Sequence, residues 1–290
     1  MEKTGIIGKG AFGEAIGHLL HETDTRAIFC DKNQDLHPDT VDLKTLIDSA
    51  DIIFLAVPSW SIHTVLTGAK EFLRKENILV GLSKGINNLG TTSDNIEKLA
   101  PDNNYAILSG PMLAEDIINS KQASAIVSSK SDNVAKKVAG IFEGSRLLCK
   151  TTSNPKAVSM IGALKNIYVL GSGIGRGLDL GNSWQGAYLT RAVSEMQSLL
   201  TTIGLPAQLV HSDAGIGDLL ATSISDSSQN IRAGKSLAQH TEPNNSEGLS
   251  SLPFIYKMLP ENRQGHFPIL KTIFEIVRGE NPQKIALVVK

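Results

Sequence analysis

Gly5-Ile6-Ile7-Gly8-Lys9-Gly10-Ala11-Phe12-Gly13 decides the fold of the first half of the chain. A short apolar run feeds a G-x-G-x-x-G turn, and Ala15, Ile16, Leu19 and Leu20 continue it as one face of a helix. In such a turn Gly8 allows the tight reversal, Gly10 lets the backbone approach a pyrophosphate, and Gly13 allows close helix–strand packing. The helix start then offers free N–H groups and its positive dipole end to phosphates. A glycine-rich turn alone often serves only local geometry. Here strand, turn, helix and a later acidic residue are all in place, so a dinucleotide is the expected ligand. The acidic residue is Asp31, just after the second strand. A carboxylate there accepts hydrogen bonds from the adenosine ribose and repels a 2′-phosphate, which favours NAD over NADP. The competing reading is a solvated turn aspartate beside Lys32.

Outward from this unit the first half alternates apolar runs with helical patterns. The strand-like runs are Gly5–Ile7, Ala27–Cys30, Ile52–Val57, Ile78–Leu82, Tyr105–Leu108 and Ala125–Val127. Nearly all their residues are apolar, as expected of parallel strands buried on both faces. Between them Leu43, Leu46, Ile47 and Ala50 repeat with helical spacing, as do Ile62, Val65, Leu66 and Ala69. A β-α-β-α order implies right-handed crossovers and a doubly wound sheet. The expected first domain is an α/β Rossmann-like domain over residues 1–153. From Asn154, a candidate N-cap, and Pro155 onward, strand-like runs cease. Leu189, Val193, Met196, Leu200 and Ile203 mark one face of a long helix that starts near Asn182 and stops at Gly204. An all-α domain is expected over residues 154–290, with a mobile loop at residues 223–228.

Composition removes several function classes. Lys plus Arg (28) against Asp plus Glu (29) leaves a net charge of −1, without the basic excess of a nucleic-acid binder. No uninterrupted apolar run approaches the ~18 residues of a membrane span. The N-terminus runs directly into a strand-like segment, which is expected to leave no room for a signal peptide. With only two cysteines and no C-x-x-C pair, a cytoplasmic location is the default expectation. Two cysteines, Cys30 and Cys149, make no disulfide framework. Seven histidines show no metal-ligand spacing, so no metal is expected.

Several further segments carry candidate chemistry. Val57-Pro58-Ser59 ends the third strand and Ser83-Lys84-Gly85 the fourth. Ligands bind at such carboxyl ends, so Lys84 is placed to face a substrate unless it is only a turn lysine. Arg74, Lys75 and Asn77 have no such placement and are expected to be solvated. Ser109-Gly110-Pro111 makes a sharp turn, and Glu115 suits the first turn of the next helix; turn chemistry and a cofactor contact explain this segment equally well. Lys165 lies among Ile161, Leu164, Ile167 and Val169, so it must snorkel, pair with a carboxylate or line a polar cavity. Asp218, in Gly217-Asp218-Leu219-Leu220, is a candidate partner, although spacing alone does not assign it.

Together, Gly8-Lys9-Gly10-Ala11-Phe12-Gly13, Ser83-Lys84-Gly85, Ser109-Gly110-Pro111, Leu164-Lys165-Asn166, Gly181-Asn182, Gly217-Asp218-Leu219-Leu220-Ala221-Thr222, Glu247-Gly248 and Phe267-Pro268-Ile269 occur in one order. This order resembles the soluble, two-domain NAD-dependent glycerol-3-phosphate dehydrogenase family along nearly the whole chain. The resemblance implies interconversion of dihydroxyacetone phosphate and sn-glycerol 3-phosphate with NAD, and a homodimer. It further implies Lys165, Lys84 and Asp218 as catalytic residues, with Asn166, Thr222, Gln229 and Asn230 around the small phosphorylated substrate. Gly8, Gly10, Phe12, Gly13, Asp31, Pro58, Lys84 and Glu247 would contact the cofactor. Where the family has Arg-Asn, this chain has Gln229-Asn230. The lost cation keeps two alternatives open: a reductase of another small ketone, or a catalytically weak NAD-binding regulatory protein.

Overall fold

Thr4–Ile7 forms strand β1 in the computed structural model, which describes residues 2–290, and every residue of the strand is buried. β2 (Ala27–Cys30), β3 (Ile52–Leu55), β4 (Ile78–Gly81), β5 (Asn104–Ser109), β6 (Ala123–Ser128) and β7 (Leu147–Thr152) complete a seven-stranded sheet in the order β2-β1-β3-β4-β5-β6-β7. The chain leaves β1 for β2 on one side and returns to β3 on the other. The carboxyl ends of β1 and β3 therefore flank a topological switch point, where open α/β sheets bind ligands.

Helices α1 (Ala11–His21), α2 (Leu43–Ser49), α3 (Ser59–Ala69), α4 (Thr92–Leu99), α5 (Ala114–Ile118) and α6 (Asp132–Gly140) connect the strands. Their starts follow local capping chemistry. Asp42 caps α2, and Thr91 with Asp94 forms a reciprocal capping box on α4. The core of this unit sets Ile16, Leu19 and Leu20 of α1 against Ile6, Phe54 and Val80 of the sheet, with Phe142 meeting Phe54 edge-on.

Three expectations for this half need correction. The first five strands are parallel, but β6 runs antiparallel to β5, with Leu108 opposite Val127, and β7 is parallel to β6. An apolar run carries no record of its direction. The seventh strand, Leu-Leu-Cys-Lys-Thr-Thr, has no apolar run because it is an edge strand that leaves Leu148 61% exposed. Asn77 is not solvated; it is fully buried, accepting from the Arg74 N–H and donating to the Ala50 carbonyl.

The chain divides into two compact units: residues up to Ser83 together with Leu89–Ser159 form the first, and Lys84–Asn88 with Met160–Lys290 form the second. The second is built on helices: α7 (Pro155–Gly177) from Met160 onward, α8 (Gly181–Thr202), α9 (Asp218–Ile224), α10 (Gln229–Ala238), α11 (Glu247–Met258), α12 (Glu261–Gln264) and α13 (Pro268–Val277). Among the described residues α7 alone is long and apolar enough to cross a membrane, and its apolar window is wholly buried. It is the central helix of the core, packed with residues of α8, α10, α11 and α13. The expected loop at residues 223–228 is shorter than that. Ser223 and Ile224 close α9, and the Ser228 hydroxyl caps α10 by accepting from the Ile231 N–H.

Candidate active site

Helix α7 carries Lys165 into the apolar core, where its side chain is 4% exposed. A bare ammonium there would be costly, and two side chains answer it. The Lys165 Nζ lies 3.1 Å from Asp218 Oδ1 and donates to Thr222 Oγ1 at 2.9 Å. Thr222 in turn donates to Asp218 Oδ1 at 3.1 Å, one helical turn along α9. A π-helical turn, Asp213–Gly217, leads directly into α9 and sets Asp218 in its first turn. Such turns are frequent at functional sites.

Lys84 reaches the same carboxylate from its other side, with Nζ 2.5 Å from Asp218 Oδ2. Two ammonium groups thus share one carboxylate, leaving one positive charge in a dry setting. Burial lowers the Lys165 pKa to about 8; Asp218 opposes that shift and the Lys84 charge adds to it. Burial alone would raise the Asp218 carboxyl, but Lys165 and Lys84 outweigh it and hold it below the usual carboxylate range.

A chain of buried amides supports Lys84. Asn166 Nδ2 donates to the Lys84 carbonyl at 2.7 Å, Asn230 Nδ2 donates to Asn166 Oδ1 at 2.9 Å, and Gly248 N donates to Asn230 Oδ1 at 2.9 Å. Lys84, Lys165, Asn166, Asp218, Thr222 and Asn230 therefore form one connected cluster. Glu247 opens α11 beside Gly248, and its charge favours the protonated form of Lys165. Gln229 is the exposed first residue of α10 and lies outside these bonds.

The glycine-rich turn sits at the end of β1. Gly8 has φ +101°, and its N–H donates to the Cys30 carbonyl of β2. A Cβ on Gly13 would fall 2.0 Å from the Gly8 carbonyl oxygen, so only glycine allows this packing. Over Gly10 a Cβ would meet nothing within 4 Å, and no side chain caps α1. This open, uncapped helix start suits a pyrophosphate. Phe12 is half-buried in α1, and Pro58 is exposed at the entry to α3. Asp31 accepts from the N–H groups of Lys9 at 2.7 Å and Asn33 at 2.8 Å. Burial would raise its carboxyl, but these two N–H groups outweigh it and hold it below the usual range. A carboxylate has about four acceptor sites, so its oxygens still have capacity for ribose hydroxyls.

A family model described as NAD-dependent glycerol-3-phosphate dehydrogenase C-terminus matches residues 154–287, and its N-terminus counterpart matches residues 31–135. A glycerol-3-phosphate dehydrogenase, NAD(P)+, of Halothermothrix orenii is 31% identical over 274 residues, spanning 87% of this chain and 80% of the relative. The chain belongs to the NAD-dependent glycerol-3-phosphate dehydrogenase family. A further glycerol-3-phosphate dehydrogenase, from Saccharophagus degradans, is 29% identical over 288 residues, spanning 88% of this chain and 80% of that one. In fold, a glycerol-3-phosphate dehydrogenase of Coxiella burnetii aligns with TM-score 0.89 and 22% identity, over 98% of this chain and 97% of that one. One from Plasmodium falciparum aligns with TM-score 0.80 and 18% identity, over 98% and 94%.

Within this glycerol-3-phosphate dehydrogenase-family fold, sequence reasoning missed two structural roles. Gly248 enters through its backbone N–H, which no side-chain pattern signals. Glu195 is 7% exposed; it accepts from Tyr168 Oη and from the N–H groups of Ile269 and Leu270, and so caps α13. Its signal was present: a carboxylate set between Val193 and Met196 on the apolar side of α8.

Proposed function

We propose that this family member interconverts dihydroxyacetone phosphate and sn-glycerol 3-phosphate by NAD-linked hydride transfer, as an oxidoreductase. The single observation that carries this reading is the buried Lys84–Asp218–Lys165 cluster. Reducing a ketone places negative charge on its oxygen, which must be stabilised and protonated. Lys165, with a pKa lowered to about 8, is an ammonium at neutral pH that gives up its proton readily. Asp218 and Thr222 fix its direction, and Lys84 adds the second positive charge at the developing alkoxide. In the reverse direction, neutral Lys165 takes the hydroxyl proton.

When bound, the nicotinamide cofactor supplies or accepts the hydride. Gly8, Gly10 and Gly13 shape the turn for its pyrophosphate and Asp31 receives the adenosine ribose, which favours NAD; Phe12, Pro58, Lys84 and Glu247 are further contacts. Residues 1–153 act as the cofactor domain and residues 154–290 as the substrate domain, in a cytoplasmic homodimer. Asn166, Thr222 and Asn230 surround the three-carbon substrate, whose phosphate faces the start of α10 at Gln229.

A second reading, reduction of another small ketone, is favoured by Gln229 in place of the family arginine. NADH oxidation measured against a panel of ketones separates the readings. Turnover highest with dihydroxyacetone phosphate supports the first; turnover only with an unphosphorylated ketone replaces it; cofactor binding without any turnover leaves a regulatory protein.

A further inference from the structure

Lys9 occupies the first variable position of the glycine-rich turn, and its long side chain is only 14% exposed. Its N–H donates to Asp31 Oδ2, so the turn and the ribose-edge carboxylate are tied together. Its ammonium leans over the Phe29 ring at 5.4 Å and lies 2.5 Å from both carboxylate oxygens of Asp39. Asp39 itself is 66% exposed. It rides on the loop that follows β2 and returns where the Val41 N–H bonds the Phe29 carbonyl. Hydrogen bonding to Lys9 holds the Asp39 carboxyl below its usual range. A lysine at the edge where Asp31 meets the adenosine ribose is thus matched by a carboxylate from a separate loop.

We propose that Asp39 is a cofactor-specificity residue: by engaging Lys9, it removes the one cation of the glycine-rich turn that could pair with a 2′-phosphate. This rests on the proposed NAD site at Asp31. In dinucleotide folds a nearby cation is what accommodates the 2′-phosphate of NADP, whereas a carboxylate at the ribose selects NAD. The chain carries both at one edge, and Asp39 decides which of them a cofactor meets. Releasing Lys9 should raise affinity for the phosphorylated cofactor, since a freed ammonium is a good phosphate partner. Lys32 stands beside Asp31 on the same edge and is the competing cation.

Titrating NADH and NADPH fluorescence against the full chain at low salt tests this directly, without turnover. In Asp39→Asn the ratio of NADPH to NADH affinity should rise about tenfold, the scale of one charge-assisted contact. In the double variant Lys9→Ala/Asp39→Asn the gain should vanish. The proposal is overturned if the ratio in Asp39→Asn stays at the wild-type value while circular dichroism shows a native fold, because the ion pair then only tethers the loop. It is also overturned if the gain survives removal of Lys9, which would assign it to Lys32. Absence of NADH binding in the wild-type chain would instead remove the cofactor reading beneath it.

Discussion

The Lys165 ammonium and the Asp218 carboxylate meet at 3.1 Å although 53 positions separate them in the chain. Neither residue is tolerable alone in its surroundings, because each is almost wholly buried. Breaking a buried ion pair by removing one partner leaves an uncompensated charge and costs about 3–5 kcal/mol. Lys84 moderates this, since Asp218 keeps one cation when Lys165 is removed.

Lys165→Met should therefore fold, bind NADH nearly as well as wild type, and lose at least about a hundredfold in turnover, the scale of a positioned proton donor. Lys84→Ala should affect both the Michaelis constant and the rate. Steady-state kinetics with fluorescence titration of NADH checks both variants. A loss below about tenfold in Lys165→Met would transfer the proton-donor role to Lys84 or water.

The pH dependence follows from the Lys165 pKa of about 8. Ketone reduction requires the ammonium, so its rate should fall as pH rises through about 8. Alcohol oxidation requires the neutral amine and should rise through the same range. Asp218 favours the charged form, so Asp218→Asn should move both inflections to lower pH. Initial rates in both directions over a pH series give the result, and a flat profile in either would disqualify Lys165.

Gln229 offers a neutral amide where the family has a cation. Gln229→Arg should lower the Michaelis constant for dihydroxyacetone phosphate about tenfold, as expected of one charge-assisted contact to phosphate, and leave the NADH dissociation constant in place. The effect should shrink as salt is raised. If dihydroxyacetone phosphate already binds tightly to the wild-type chain and the variant changes nothing, other groups at the start of α10 hold the phosphate.

Burial raises the Glu195 carboxyl from 4.5 to about 7, against the N–H groups of Ile269 and Leu270 and the Tyr168 hydroxyl, which oppose the shift. Between pH 4.5 and about 7 the folded state holds more of this proton than the unfolded state. Stability from this group is thus greatest at the acidic end and declines as pH rises through that window, by up to about 3 kcal/mol in total. Urea denaturation of wild type and Glu195→Gln at pH 5 and pH 8 should show wild type losing ground to the variant at the higher pH. An unchanged difference would mean that Glu195 stays ionised throughout.

Local chemistry made much of the fold legible. The turn at Gly8 to Gly13 needs glycine for reasons internal to the turn, and the apolar faces of α1, α2, α3 and α8 repeat within a few residues. The same reasoning failed at β7 and at Asn77. An edge strand needs only one apolar face, and a buried polar residue is recognised only through the distant carbonyl that satisfies it, here Ala50.

From the sequence alone came the α/β first half, the helical second half, the dinucleotide turn, and the identity of the two lysines and the aspartate as candidate chemistry. The two halves and the turn follow from composition, periodicity or a short motif, which depend on neighbours along the chain. The catalytic roles of the lysines and the aspartate came instead from the resemblance of the ordered motifs to the family. Only the tertiary structure decided that Lys84, 134 positions from Asp218, shares its carboxylate with Lys165, that β6 runs against β5, and that Asp39 engages Lys9. Those relationships arise when distant segments pack together. The partner of a buried charge is set by which group packing brings within hydrogen-bonding reach, and nothing in the sequence near the charge specifies it.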